Sequence, residues 1–251
     1  LIAAGADIGD GTTIGAHCVI GPNVRLGRDN IIAAHVVIEG RTTFGDLVQA
    51  RSFASIGSAP QDDRWRGRDG ALAIGDAVSI GEYVTVQPGM SGPRPRTTVG
   101  DGVMLMPSSH VAHDCRVGDG ARLGKGATLA GHVEIGAYAW LGRLCAVHQF
   151  ARVGAHAFVT DGAIVVRDVP PFCRVAGDRA RLVRLNGADL GRHGFTPEDV
   201  VFLEQAYATV FDGPGSKQDR MAALRAELGE RRGVKLLLDF LTSSKRGVMA
   251  A

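Results

Sequence analysis

Three short runs carry the residue types best suited to moving protons or holding a metal: His110-Val-Ala-His113-Asp114-Cys115, Gly131-His132 and Val147-His148-Gln149. Imidazole changes charge near neutral pH and ligates metals when neutral, so several converging rings would serve acid and base chemistry or bind an ion. A lone histidine is ordinarily a corner residue bonded to backbone, and the grouping is what singles these out. From His113 to His132 is 19 residues and from His132 to His148 is 16. Whether the rings meet depends on the elements that carry them.

Those elements are read from a period of six. Ile8, Ile14, Ile20, Leu26, Ile32 and Ile38 form one aliphatic series. Val99, Leu105, Val111, Val117, Leu123, Leu129, Ile135, Leu141 and Val147 form a second, one residue out of phase. Glycine commonly follows, as at Gly15, Gly81 and Gly118, where a side chain would obstruct a tight turn or a positive φ. Four residues after each aliphatic stands a smaller residue, such as Val24, Ala127 or Cys145. A period of six fits neither a helix near 3.6 nor an open sheet near 2. It fits a solenoid in which each hexapeptide is a short strand plus a corner and three hexapeptides close a triangular coil. A turn of about 18 residues then climbs about 4.8 Å, the spacing of paired strands. On that ruler the two histidine spacings are each close to one coil, so His113, His132 and His148 fall near one corner on three successive levels.

Two breaks interrupt the repeat, over 58–73, which is rich in charge, and over 87–98, which holds three prolines. Loops on a rigid scaffold are where binding groups tend to sit. The repeats end at Asp168-Val-Pro-Pro171, because proline cannot donate to a ladder. The expected organisation is therefore a solenoid over 1–173 and a linker with a small helical domain over 174–251. Thr196-Pro197-Glu198-Asp199 reads as a helix start, with apolar stripes at Val200, Leu203, Tyr207 and Val210 and at Val234, Leu237, Leu238 and Leu241.

Composition narrows the classes. With 251 residues, 45% of them hydrophobic, the chain can bury a long narrow core, and its 35 glycines belong to corners instead of disorder. A net charge of +2 argues against a nucleic-acid binder. No apolar run reaches the roughly 18 residues of a transmembrane helix. Cys18, Cys115, Cys145 and Cys173 are widely spaced, as in a reduced cytoplasmic protein. Arg174, Arg179, Arg181, Arg184 and Arg192 could meet phosphates or an acidic partner. The chain begins at Leu1 inside a repeat, so an earlier N-terminal turn is expected.

Taken together, the motifs closely resemble the bacterial UDP-N-acetylglucosamine O-acyltransferases over essentially the whole chain. The residues carrying the resemblance are Ala54-Ser-Ile-Gly57 with Gln61-Asp62, the three histidine runs, Asp168-Val-Pro-Pro171 and Arg192-His-Gly-Phe195. The resemblance implies a left-handed parallel β-helix with a small C-terminal α-helical domain. It implies transfer of a 3-hydroxyacyl chain from acyl carrier protein to the 3-hydroxyl of UDP-N-acetylglucosamine, in lipid A synthesis, without metal or cofactor. It further implies a cytoplasmic homotrimer with active sites in clefts between neighbouring prisms.

By the same resemblance His113 is the general base, Asp114 orients it, and the Gly131 amide donates to the oxyanion. Asp62, Arg64, His110, His132, His148 and Gln149 match positions around the acylated sugar, and Asn186 and Arg192 match contacts to the nucleotide. Asp161 stands where the family measures acyl length, and an acid ending an apolar groove would cost several kcal/mol unless solvated or paired. A shortened or unusual acyl preference is therefore expected. Other departures are Arg64 for lysine, His193 for arginine, Ala188 for an acid, Asp178 for asparagine, and a loop at Val86-Gln-Pro-Gly89 without the usual histidine and arginine. Two rivals stay open on the residues: N-acyl transfer to a 3-amino sugar, and zinc-dependent hydration on the same prism.

Overall fold

The computed structural model describes residues 1–67, 70–90, 92, 95–187 and 190–249. Most strands up to Ile164–Val165 are two residues long, and each lies parallel to the strand one coil on. Val111 pairs with Leu129 and Leu129 with Val147, which is the 18-residue step. Three sheets of eight, ten and eight strands result. Sheet one begins at Asp7–Ile8, sheet two at Thr13–Ile14 and sheet three at Val19–Ile20. The chain passes from sheet one to two at a first edge, two to three at a second, and three to one at a third.

The aliphatic of each pair points inward, and the smaller residue fills the corner beside it: Leu129 and Val133, or Leu141 and Cys145, are fully or almost fully buried. Each fully buried aliphatic contributes about 1.5–3 kcal/mol, set against the entropy of ordering the coil. Burial pushes the thiols of Cys115, Cys145 and Cys173 up to about 12, so they stay protonated at neutral pH.

Close approach, more than a positive φ, explains the glycine after the aliphatic. A Cβ on Gly118 would stand 2.7 Å from the Ala137 amide nitrogen on the next coil. The left-handed residue comes two places later and is often bulky, as at His17 (φ 60°) and Tyr83 (φ 58°). Along the second edge His17, His35, Phe53 and Tyr83 stack with centroids 4.9–5.1 Å apart. That matches the strand spacing, so ring contact offsets the strain of left-handed backbone at residues with side chains.

Both insertions leave the prism at the third edge. Thr85 pairs with Ser55 and His110 with Thr85, steps of 30 and 25 residues in place of 18. Each loop is shorter than the expected break, because Ala71–Ile74 and Arg96–Val99 are strands paired with each other and, through Ala71–Ile74, with Arg41–Phe44. Thr42, Leu72 and Thr97 are buried there, which lengthens the strands to four residues.

The linker expected from residue 174 is instead a hairpin. Cys173–Ala176 extends sheet two in parallel, and Arg181–Leu185 folds back antiparallel and ends it. Helices α1 (Pro197–Asp212), α2 (Lys217–Leu228) and α3 (Arg232–Ser243) follow. The Asp199 amide donates to Thr196 Oγ1 and the Thr196 amide to Asp199 Oδ2, a reciprocal cap on α1. The apolar face of α3 is buried at Val234, Leu237, Leu238 and Leu241. After α3, Ser244 donates to Asp168 Oδ2 at 2.7 Å and Val248 bridges Asp168, returning the chain to the third edge. Among the described residues no helix is long and apolar enough to cross a membrane.

Candidate active site

On the third edge, residues 18 apart share a column. His113 is therefore in the column of Gly131 and Gln149, while Asp114 is in that of His132 and Phe150. The extra residue in the 19-residue step moves His132 one column sideways. Asp114, His132 and Phe150 all take left-handed backbone, with φ of 60°, 62° and 65°. The His132 ring stacks on Phe150 at 4.5 Å and meets His113 edge-on at 5.2 Å.

This arrangement explains Gly131. A Cβ there would stand 2.6 Å from Nε2 and Cε1 of His113, so only glycine leaves room for the imidazole. The neighbouring amides of Ala130 and His132 donate to the carbonyls of Val147 (3.1 Å) and His113 (3.0 Å). Among the described residues no group takes up the Gly131 amide, which is the arrangement an oxyanion donor needs.

His113 is 6% exposed. Its Nδ1 lies 2.9 Å from Asp114 Oδ2. A carboxylate only accepts, so in the neutral ring the proton sits on Nδ1 and the lone pair on Nε2. The left-handed turn at Asp114 is the bend that lets adjacent side chains meet. Asp114 is fixed in turn by the Met90 amide, 3.1 Å from its carboxylate, and by its own amide donating to Thr97 Oγ1 at 2.8 Å.

From the first insertion, Asp62 Oδ2 lies 3.8 Å from His113 Nε2. The Arg64 guanidinium grips Asp62 through two bonds of 2.9 and 2.6 Å and holds its carboxyl well below the usual range. His110 sits on the outer face of sheet three with Nδ1 2.6 Å from Thr85 Oγ1. Burial lowers its pKa, and His113 lowers it further. Burial also lowers that of His132, against the pull of Asp114. His148 is exposed on the same edge, where Arg246 Nη2 donates to its Nδ1 at 2.9 Å. Gln149 is half-buried beside it. Within this cluster, one nitrogen each from His113 and His132 and one oxygen from Asp114 lie within 4.8 Å of one another.

Asn186 and Arg192 are elsewhere. They line a cleft of about 700 Å³ on the first edge with Tyr138, Trp140 and His193. Asn186 Nδ2 donates to the His156 carbonyl at 3.0 Å. One face of the prism separates this cleft from His113, so a single chain does not bring the two groups together. His193 packs on Tyr138 at 4.3 Å, and Ala188 lies outside the described residues.

Asp161 is on the second edge and is neither buried nor unpaired. Its side chain is 52% exposed and takes two bonds from Arg143, at 2.9 and 2.7 Å, which lower its pKa. It also accepts the Arg143 amide at 2.7 Å. Asp76, Asp101 and Asp119 tie coils together in the same way along the first edge. The expected penalty for an acid in an apolar groove is thus not incurred within the chain.

Next to the first-edge cleft, His156 is buried among Tyr138, Phe172 and Phe195. Burial first, then the charges of His193 and Arg232, push its pKa down to about 4. The unfolded chain therefore binds the extra proton from about pH 6.5 downward, and the folded chain only near pH 4. Stability should fall as pH drops through that window, by on the order of 2–3 kcal/mol in full. His156→Phe, a ring this backbone already accepts at Phe172, should flatten the fall; an unchanged pH dependence of Tm would contradict this.

Sequence reasoning missed Met90, Thr97, Thr85 and Arg246. The register of 18, corrected for the insertions, would have found Thr85 opposite His110. No pattern in the sequence pointed to Arg246, which reaches the edge through the packing of α3.

Comparison with known proteins gives a consistent set of relatives. A family model described as UDP N-acetylglucosamine O-acyltransferase, domain 2, matches residues 168–249, and a bacterial hexapeptide-transferase model matches 5–40 and 96–131. An acyl-[acyl-carrier-protein]–UDP-N-acetylglucosamine O-acyltransferase of Azorhizobium caulinodans is 44% identical over 99% of this chain and 95% of its own. One of the same name from Syntrophobacter fumaroxidans is 39% identical, covering 99% and 97%. The crystal structure of the UDP-N-acetylglucosamine acyltransferase of Francisella novicida superposes with a TM-score of 0.96 at 32% identity, over 100% of this chain and 92% of its own.

Proposed function

The chain belongs to the UDP-N-acetylglucosamine O-acyltransferase family, and on that footing we propose that its third edge performs the transfer with His113 as general base. The protein is an acyltransferase acting on acyl-[acyl-carrier-protein] and UDP-N-acetylglucosamine, on a left-handed parallel β-helix with a helical C-terminal domain. The observation that carries the residue assignment is the His113 imidazole, held by Asp114 at Nδ1 and given room by the missing side chain of Gly131.

In the proposed reaction Nε2 of His113 takes the proton of the sugar 3-hydroxyl as that oxygen attacks the thioester carbonyl of a 3-hydroxyacyl chain. Asp114 keeps the ring in the required tautomer and balances the imidazolium. The Gly131 amide donates to the tetrahedral oxyanion. Collapse breaks the carbon–sulfur bond, and the carrier thiolate leaves with the proton from Nε2. His110, His132, His148, Gln149 and the Asp62–Arg64 pair hold the sugar. Asn186 and Arg192 of a neighbouring chain hold the nucleotide, Arg192 by a fork of donors to phosphate oxygens. The proposal extends to a cytoplasmic homotrimer serving lipid A synthesis, in which the third edge of one prism meets the first edge of the next.

The Arg143–Asp161 pair is proposed to close the acyl groove early. Purified enzyme offered a ladder of 3-hydroxyacyl carrier-protein thioesters, with UDP-N-acetylglucosamine and its 3-amino analogue as acceptors, tests both points. Expected are an alkali-labile ester on the first sugar and a preference for chains shorter than 3-hydroxytetradecanoyl. An amide formed only on the amino sugar would overturn the acceptor, and a tetradecanoyl preference would overturn the role of Asp161.

A further inference from the structure

The same cluster that suits a base also has the geometry of a metal site. We propose that His113, Asp114 and His132 bind a divalent transition metal, and that zinc bound there switches the transferase off. The donor set is two imidazoles and a carboxylate, which together suit zinc, cobalt or nickel. Bond lengths of about 2.0–2.2 Å place neighbouring donors of a tetrahedral zinc about 3.4 Å apart. Asp114 Oδ2 lies 2.9 Å from His113 Nδ1 and 3.6 Å from His132 Nε2, which brackets that separation. One donor atom from each of the three residues lies within 4.8 Å of the others, so an ion bound there draws the two imidazoles together.

The supports are also in place. Asp114 and His132 are fixed by the left-handed turns of successive coils, and Phe150 stacks behind the His132 ring. The Met90 amide anchors the carboxylate. A cleft of about 700 Å³ opens onto Asp114 and His132 from solvent, with Glu134 and Asp168 as well as Arg116, Arg152, Lys245 and Arg246 around it.

Inhibition follows from the tautomer. In the free enzyme Nδ1 carries the proton and Nε2 the lone pair. A metal on Nδ1 takes the lone pair there, and the displaced proton passes through solvent to Nε2 with no net change in protons. The protonated Nε2 then faces the Asp62 carboxylate, 3.8 Å away, and no longer accepts from the sugar hydroxyl. Loss of turnover rests on His113 being the base, whereas binding of the metal does not.

The test is titration of the full-length protein with cobalt(II), read by the visible absorption of a tetrahedral site, followed by zinc in the acyl-transfer assay. One cobalt per chain is expected, displaced by zinc. The affinity should fall at least about tenfold in Asp114→Asn and in His132→Asn, both side chains that left-handed backbone tolerates. Circular dichroism checks that each variant is folded. Equimolar zinc should cut turnover at least about tenfold, and a chelator should restore it. Absence of a cobalt band in the wild type, or equal binding by both folded variants, would overturn the site. Turnover that a chelator abolishes would overturn the inhibitory role. Transfer that persists with the site filled by zinc would leave the site standing and refute His113 as the base.

Discussion

His113→Ala is expected to lower turnover by about 10²–10⁴-fold, the range for removing a positioned base, with no loss of folded protein. The ring lies at a corner and contributes no aliphatic to the prism core, whose inward positions are Val111 and Leu129 on the flanking strands. Its removal leaves space against Gly131 and deprives Asp114 of one donor, but the Met90 amide and Thr97 still fix that residue. Steady-state kinetics with UDP-N-acetylglucosamine and an acyl carrier-protein thioester measure the loss, and thermal melts measure the fold. Turnover within tenfold of wild type would refute the base assignment.

Gly131→Ala should be almost as damaging for a different reason. The backbone at Gly131 is outside the left-handed region, so alanine imposes no φ penalty there. Its Cβ would instead stand 2.6 Å from the imidazole, and the ring or the corner must move. Displacements of about 1 Å can cost about 10²-fold in rate, so kcat should drop by that order while Tm changes little. The double variant with His113→Ala should be little worse than His113→Ala alone, because the clash needs the ring. Two losses that multiplied would mean Gly131 acts without His113, through its amide alone.

The prism was legible because a solenoid is nearly one-dimensional: a single period places Val111, Leu129 and Val147 on neighbouring strands. The same ruler also contained the contact between His113 and Gly131, exactly one coil apart, and the 19-residue step that puts His132 over Asp114 instead. What escaped it depends on departures from the period. The strands at Ala71–Ile74 and Arg96–Val99 hide inside apparent insertions because their extra inward residues, Leu72 and Thr97, break the six-residue count. The hairpin Cys173–Leu185 looked like a linker because its arginines face solvent and it follows two prolines. Asp161 looked costly until Arg143, one coil away, supplied its partner. The approach of Met90 and Arg246 depends on a loop path and on helix packing, neither of which leaves a periodic mark.

The central claim is that each active site joins the third edge of one chain to the first edge of its neighbour. Subunit complementation tests this most directly: His113→Ala and Arg192→Ala chains, differently tagged, are co-expressed and mixed trimers isolated. In a three-membered ring of head-to-tail contacts, every trimer that holds both kinds of chain has one of its three sites built from two intact halves. Activity near a third of wild type is therefore expected at limiting UDP-N-acetylglucosamine, well above either variant alone. Mixed trimers no more active than the two parents would place both residues in a site within one chain and contradict the account.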